Sequence, residues 1–341
     1  MKTIFSSLFL ILFLLTCVSE IYAVEDAVVD SIVLKAIEQV HNEQFLKAVE
    51  TFKDVRPMRP GTPMPYFYIA ATYLALITEY RNPTYRPLFE AYIDSAVTFG
   101  EKRDDATDAT AEDYFYYGGA LGYRGIYKSE QGDWWGAFKD GARARGKLEK
   151  ALEMDSTNFD IYYGLGSYDF WRSVKTEVFW WLPFFSDKRQ QGIEYMWKAA
   201  EKGKYSQREV KYALIRVYHE IEEWEKMFEV WFKYLEDVNP DDPYALWWLA
   251  DGYAQLGQWG NCEEMYKKLF GAIEESEFYH PDAEVELRYK IAVAQKNQNK
   301  TEKAIENLRK GISLELKISD VEKANQYLED SKELLENILS R

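Results

Sequence analysis

Residues 208–239 read REVKYALIRVYHEIEEWEKMFEVWFKYLEDVN, and residues 243–274 read PYALWWLADGYAQLGQWGNCEEMYKKLFGAIE. Four large side chains of the first segment recur in the second at a constant shift of 35 residues. The pairs are Leu214 and Leu249, Tyr218 and Tyr253, Trp224 and Trp259, and Trp231 and Tyr266. A fixed shift at four positions indicates an internal repeat, and this repeat decides the fold.

Each repeat unit is predicted to be a pair of helices joined by a short turn. In the second segment Leu246, Leu249 and Tyr253 follow helical spacing, and Gly257 ends this first helix. Cys262, Tyr266 and Phe270 mark a second helix by their four-residue steps. A hairpin of this size cannot bury its apolar face alone, so successive hairpins are expected to stack.

This pattern resembles the tetratricopeptide repeat (TPR) family. Tyr162, Leu165 and Gly166 match the opening half of its signature. The closing half is matched by Phe45, Ala48, Phe52 and Pro60, and a C-terminal unit by Ile291, Ala292, Ala304 and Leu308. The resemblance implies an all-α fold, a right-handed superhelical solenoid of stacked helix-turn-helix hairpins. The stretch GLGSYDFWRSVK, residues 164–175, resembles secreted TPR proteins of bacteria.

The sequence predicts three regions. Residues 1–23, MKTIFSSLFLILFLLTCVSEIYA, have the layout of a signal peptide, with a cation, a short apolar run and a small residue at the end. Residues 24–316 are expected to form the repeat solenoid, with an insertion at about 174–188. Residues 317–341 are expected to form a helix that caps the last unit. The protein is therefore predicted to be secreted or periplasmic. A lipid on Cys17 would make it a membrane-anchored lipoprotein instead.

The charge of the chain limits its partners. The formal net charge is −15, and removal of residues 1–23 leaves it unchanged because one cation, Lys2, and one anion, Glu20, are lost together. Such a surface repels phosphate groups, so neither nucleic acid nor an anionic membrane is expected as a partner. Lipidation of Cys17 is the main route by which membrane contact is expected.

The sequence shows no catalytic or metal-binding constellation. His41, His219 and His280 lie far apart and are not spaced with acids as a zinc site requires. Cys262 occupies the small-residue position of its repeat, which is typical of a buried thiol. We therefore expect a protein without enzymatic activity, metal or cofactor.

The aromatic residues of the first helices suggest a binding surface. In TPR proteins one face of these helices lines a concave groove, so the resemblance implies a groove with an aromatic wall. Large rings with a few polar neighbours suit a recognition surface. The candidate groove residues are Tyr163, Phe170, Trp171, Tyr212, Arg216, His219, Trp247, Trp248, Asp251 and Gln255. The alternative is that these rings pack against each other or against the insertion.

The insertion itself is apolar at its centre, where residues 178–185 read VFWWLPFF. Its large side chains are Phe179, Trp180, Trp181, Leu182, Phe184 and Phe185. Three interpretations stay open. The segment folds back over the groove as a lid, docks a partner, or contacts a membrane interface, which it is too short to span.

Two functions fit these patterns. The first is a non-enzymatic protein–protein interaction scaffold of the cell envelope or secretory compartment, which binds a protein segment in the concave groove. The second is a helical-repeat surface protein that binds a glycan or small ligand, because sugar rings stack on exposed aromatic side chains.

Expression with the complete N-terminus should give a chain that begins at Val24, because the apolar run is shorter than a membrane span and ends at a small residue, Ala23. Intact-mass measurement of the exported protein checks this. An unprocessed chain would contradict it, and a diacylated Cys17 would support the lipoprotein alternative.

Overall fold

The computed structural model describes residues 24–175, 186–236 and 238–340, and no β-strand occurs in this part of the chain. Its helices are α1 (24–41), α2 (Phe45–Lys53), α3 (Met64–Tyr80), α4 (Arg86–Asp104), α5 (Ala111–Glu130), α6 (Trp134–Met154), α7 (Ile161–Lys175), α8 (Arg189–Lys202), α9 (Gln207–Glu220), α10 (Trp224–Tyr234), α11 (Pro243–Gln255), α12 (Trp259–Glu274), α13 (Pro281–Asn297), α14 (Thr301–Ile312) and α15 (Glu322–Leu339). A short 3₁₀ helix, Pro83–Tyr85, precedes α4. None of the described helices is long and apolar enough to cross a membrane.

Consecutive helices pair into hairpins from α3/α4 to α13/α14. The predicted all-α fold of helix-turn-helix hairpins is confirmed. The two repeat units recognised in the sequence are the hairpins α9/α10 and α11/α12. The last helix, α15, packs against both α13 and α14.

One turn geometry recurs between paired helices. A residue with positive φ ends the first helix at Glu43, Gly132, Glu222, Gly257 and Asn299. In each case the next residue donates its backbone N–H to the carbonyl five residues before it, at 2.8 or 2.9 Å. This bond satisfies a carbonyl that the helix end leaves free. The hairpins α1/α2, α5/α6, α9/α10, α11/α12 and α13/α14 therefore share one local device.

The hairpin α7/α8 is held by close backbone packing. A β-carbon at Gly166 would lie 2.5 Å from the carbonyl oxygen of Gly192, and one at Gly192 would lie 2.6 Å from the carbonyl oxygen of Gly166. Only glycine allows the two helix backbones this approach. The glycine of the repeat signature therefore lies at the closest approach of the two helices.

The first helices of five hairpins close into a ring. Helix α11 packs against α9 and also against α3, which in turn packs on α5, and α5 packs on α7. Helices α7 and α9 meet where the Arg216 guanidinium lies 4.8 Å from the ring centre of Trp171. We call the ring-facing side of α3, α5, α7, α9 and α11 the inner surface.

Four contacts between segments far apart in sequence hold the ring closed. The indole N–H of Trp247 on α11 donates to the carbonyl oxygen of Glu79 on α3 at 2.9 Å. The Arg81 guanidinium lies 4.2 Å from the Trp247 ring centre and its Nε donates to Glu286 Oε2 at 3.1 Å. The Asn82 amide donates to the carbonyl oxygen of Phe278 at 3.1 Å. A solenoid in which each hairpin touches only its neighbours would have none of these contacts.

Helix α1 lies beside the ring and contacts the segment around the start of α9. Its Glu38 pairs with Arg208 at 3.2 Å, and its His41 stacks on Tyr212 with ring centres 5.9 Å apart. Asp30 accepts hydrogen bonds from Tyr205 and Lys204. The N-terminal helix therefore contacts residues 204–212, which include the start of α9.

Replacement of Gly166 by alanine should lower the free energy of unfolding by about 2 kcal/mol, because the added methyl group forces α7 and α8 apart. The matched control is Gly146→Ala on α6, where no atom lies within 4 Å of the added carbon. That change should raise the free energy of unfolding by about 0.5–1 kcal/mol through helix propensity. Urea unfolding followed by circular dichroism measures both, and equal effects would contradict the close-packing assignment.

Candidate functional site: the inner surface of the ring

Three of the ten predicted groove residues are buried within the chain itself. Trp247 is 3% exposed, Tyr212 is 5% exposed and Phe170 is fully buried. Trp247 packs against α3, and Tyr212 packs against His41 of α1. The sequence predicted that these three rings would contact a partner. In the structure, the N-terminal helices or the neighbouring core cover them.

Four other predicted residues come together on the inner surface. The Arg216 guanidinium lies between two indole rings, 4.8 Å from the ring centre of Trp171 and 5.4 Å from that of Trp248. His219 contacts Trp248 edge-on at 5.1 Å. We call Trp171, Arg216 and Trp248 the Trp–Arg–Trp stack. All three are half-buried, so the stack keeps a face open.

The His219 ring is a weak base in this setting. Burial lowers its pKa, and Asp251 and Glu220 oppose the shift only in part. Its Nε2 atom is buried and has no hydrogen-bond partner within the described residues. The imidazole is therefore neutral near pH 7, and the charge of the stack comes from Arg216 alone.

The remaining three predicted residues divide between two places. Tyr163 lies on the inner surface with two further tyrosines, Tyr123 of α5 and Tyr244 of α11. Asp251 instead accepts hydrogen bonds from Tyr266 and from Lys290, the latter at 2.7 Å, and so belongs to the packing of α11 on α12 and α13. Gln255 is exposed at the end of α11.

Carboxylates that the sequence did not single out lie among these tyrosines. Glu209 is exposed, but desolvation by the surrounding helices and the nearby Asp242 raise its pKa to about 7. Burial also raises the pKa of Glu79, and the negative charges of Asp242, Glu43 and Glu209 add to this shift. A sequence pattern could not have found this cluster, because its members come from α3, α9 and the start of α11.

The candidate reactive side chains Cys262 and His41 are desolvated and have shifted pKa values. Burial raises the pKa of the Cys262 thiol to about 12, so it is not a nucleophile at neutral pH. Burial and Arg208 lower the pKa of His41 to about 3. No group of three or more His, Cys, Asp or Glu side chains in the described parts of the chain could hold a metal ion.

A second aromatic group lies near the end of α7. Trp134, Trp135 and Phe138 on α6 are 59%, 70% and 51% exposed. The Lys175 ammonium lies 5.9 Å from the ring centres of both Trp134 and Trp171. In the sequence, the dipeptide Trp134–Trp135 shortly after Gly132 is the signal for this exposed aromatic group. The insertion residues Phe179, Trp180, Trp181, Leu182, Phe184 and Phe185 lie outside the described residues.

A cavity of about 380 Å³ opens elsewhere, between α8, α9 and the start of α10. Trp197 and Tyr218 line it and are joined by an indole-to-hydroxyl hydrogen bond of 2.9 Å. Its charged lining residues are Lys198, Lys202, Lys226, Glu194, Glu201 and Glu223. Because the two signs balance, this cavity indicates no particular ligand chemistry.

No protein-family model and no curated protein matches the chain. Solved structures do. The C-terminal part of a TPR repeat-containing protein from Cytophaga hutchinsonii is 21% identical, over 87% of this chain and 99% of that one, with a TM-score of 0.42. A tetratricopeptide repeat protein from Parabacteroides merdae is 16% identical, over 89% and 98% of the two chains, with a TM-score of 0.42. A human IFIT1 dimer with m7Gppp-AAAA is 16% identical, over 87% and 59%, with a TM-score of 0.36.

The neighbouring tryptophans Trp247 and Trp248 should respond differently to replacement by phenylalanine. Trp247→Phe should lower the free energy of unfolding by about 2 kcal/mol, because the hydrogen bond to Glu79 and the contact with Arg81 are lost in a buried site. Trp248→Phe should change it by less than about 1 kcal/mol, since this ring is only half-buried. Thermal or urea unfolding measures both, and equal losses would contradict the closure of the ring through Trp247.

Proposed function

We propose that the protein is a non-enzymatic interaction scaffold of the cell envelope or secretory compartment, and that its inner surface binds a segment of another protein. The observation that carries the proposal is the Trp–Arg–Trp stack. Arg216 makes no ion pair within the described residues, and its flanking rings leave a face open. Rigid aromatic side chains and an arginine are the groups that dominate binding energy at protein interfaces.

The charge pattern supports a protein segment over a nucleic acid. The chain carries a net charge of −15, and this charge repels a phosphate backbone. It does not exclude a peptide, whose side chains can bring charges of either sign.

The location of the scaffold rests on the N-terminal sequence. Residues 1–23 have the order of a signal peptide, and we extend the proposal to a secreted or periplasmic protein on that ground.

A glycan or small ligand is the second candidate. The exposed rings of Trp135 and Phe138 stack with centres 5.9 Å apart, and such an open aromatic surface suits a sugar ring. This surface is on α6, whereas the Trp–Arg–Trp stack is on α7, α9 and α11, so substitutions separate the two candidates.

Site-specific photocrosslinking tests the proposal. A benzophenone amino acid at position 248 should crosslink to one defined protein in cells, because that side chain borders the open face of the stack. The matched control is position 232 on α10, where Phe232 is 52% exposed but lies outside the inner surface. Mass spectrometry identifies the product, and Arg216→Gln should reduce its yield several-fold.

Two outcomes would overturn this assignment. Equal crosslinking at positions 248 and 232 would show that the partner protein does not bind preferentially at the inner surface. Binding of a purified glycan that is lost on Trp135→Ala and unaffected by Arg216→Gln would support the second candidate.

A further inference from the structure

Two rows of aromatic residues, each with a spacing of seven residues, meet in the hairpin α3/α4. One row on α3 contains Tyr66 and Tyr73, and the other contains Tyr85, Tyr92 and Phe99 on α4 and the turn before it. A spacing of seven keeps side chains on one face of a helix. Tyr73 stacks on Tyr85 and Tyr92 with ring centres 6.1 and 5.9 Å apart, and Tyr66 stacks on Phe99 at 4.7 Å.

Arg56, in the turn after α2, joins the two parts of this arrangement. Its guanidinium lies 4.9 Å from the ring centre of Tyr66 and 5.5 Å from that of Tyr92. Ring faces attract a guanidinium group at these distances, so the two tyrosines hold Arg56 in position. The result is one continuous row, which we call the tyrosine ladder, in the order Tyr85, Tyr73, Tyr92, Arg56, Tyr66 and Phe99.

The charge of Arg56 has no counter-charge within the described parts of the chain. Arg59 and Arg124, by contrast, each pair with at least two carboxylates. The Nε atom of Arg56 is buried without a hydrogen-bond partner, whereas its two terminal nitrogens are not buried and form no hydrogen bond with the described residues. The outer edge of the guanidinium is therefore open to a ligand.

The tyrosines on either side of Arg56 offer their edges and not their ring faces. The stacked pairs of the ladder have interplanar angles of 20° to 26°, so the faces are covered by neighbouring rings. The hydroxyls of Tyr66 and Tyr92 are not buried and make no hydrogen bond within the described residues. A phenol hydroxyl both donates and accepts. The accessible part of the ladder is thus a guanidinium between two free hydroxyls.

These groups determine which ligand chemistry fits. A guanidinium matches a carboxylate, with which it forms two parallel hydrogen bonds. Phenol hydroxyls complement the hydroxyls of a polyol. A protein segment binds chiefly by burying apolar surface at the centre of its interface, and the stacked rings offer little of it. A sugar acid combines one carboxylate with several hydroxyls, whereas a polyanion is repelled by the net charge of −15.

We propose that the tyrosine ladder binds a sugar acid, with its carboxylate on Arg56 and its hydroxyls on Tyr66 and Tyr92. This site lies apart from the Trp–Arg–Trp stack, which is on α7, α9 and α11. It also differs from the exposed aromatic group on α6, where Trp135 and Phe138 expose large parts of their rings. The proposal adds a ligand site to the scaffold and does not depend on the partner of the inner surface.

Ligand-observed NMR titration of the purified protein tests the proposal. The probes are methyl β-D-glucuronide, methyl β-D-glucoside and acetate, so the first two differ only in the carboxylate. The glucuronide should bind about tenfold more tightly than the glucoside, which corresponds to one hydrogen-bonded charge pair. It should also bind more tightly than acetate, because acetate has no hydroxyls to bond to the tyrosines.

Two variants locate the site. Arg56→Gln should weaken glucuronide binding at least fivefold and leave glucoside binding unchanged, because only the carboxylate contact is lost. Tyr92→Phe should weaken binding of both sugars about twofold or more, since it removes the hydroxyl and keeps the stacked ring. If Arg56→Gln lowers the urea midpoint so far that the protein does not fold, Tyr92→Phe decides the test.

Two matched controls should leave binding of the glucuronide unchanged. Arg309→Gln on α14 removes the same charge from an exposed arginine that forms no ion pair with the described residues. Tyr289→Phe on α13 removes the hydroxyl of another half-buried tyrosine, whose ring contacts Tyr327 at 5.6 Å.

Several outcomes would overturn the assignment. These are equal binding of the glucuronide and the glucoside, equal effects of Arg56→Gln and Arg309→Gln, or no binding of any probe. Tighter binding of the blocked peptide Ala-Ala-Glu-Ala-Ala than of the glucuronide, lost in Arg56→Gln, would assign the ladder to an acidic protein instead. Glucuronide binding that is lost in Trp135→Ala and kept in Arg56→Gln would place the sugar on α6.

Discussion

The contact between α3 and α11 is the constraint on which the rest of the structure depends. The Trp247 indole N–H donates to the Glu79 carbonyl across a separation of 168 residues, and the Arg81 guanidinium lies over the indole ring. Repeat solenoids gain stability mainly from neighbouring units. Here the closure adds contacts of long sequence separation, so the N-terminal and C-terminal hairpins share one hydrophobic core with Phe45, Leu76 and Tyr80. Such contacts form only after much of the chain is ordered.

Closure of the ring also brings carboxylates into desolvated positions. The pKa of one of them is lowered, and the pKa values of two others are raised. Burial disfavours the charge of Glu286, but Arg81 and Lys323 outweigh it and lower its pKa to about 2. Its contribution to stability is therefore complete above the ordinary glutamate pKa and is lost as pH falls towards 2. The pKa of Glu209 is raised to about 7, so its charged form costs stability above that pH and the cost is relieved as pH falls through it. Burial raises the pKa of Glu79 in the same direction, so ionisation of Glu79 also costs stability. The ionised form of Glu286 therefore stabilises the closed ring, whereas ionisation of Glu79 and Glu209 destabilises it.

The sequence predicted the hairpins well because their determinants are local. The 35-residue shift predicted helices α9 to α12. Gly257 correctly predicted a turn, and Glu222 adopts the same positive φ in the turn one repeat earlier. The inner surface was predicted only in part. Trp247 and Trp248 are adjacent and chemically alike, yet one is buried against α3 and the other is half-exposed. That difference arises from a helix far away in the chain, and no spacing within α11 encodes it. Glu79 and Glu209 escaped notice for the same reason.

The chain is able to satisfy an enclosed carboxylate where only stability is at stake. Glu263 accepts hydrogen bonds from Gln295, Gln298, Lys267 and Lys300, at 2.6 to 2.9 Å, and these partners outweigh its burial and lower its pKa to about 2. Glu209 lies on a helix of the same repeat series but has no such partner. Glu263 is 4% exposed and needs these partners, whereas Glu209 is exposed and water solvates its carboxylate. The difference between the two glutamates therefore follows from burial: the chain supplies hydrogen-bond donors where its own packing excludes water.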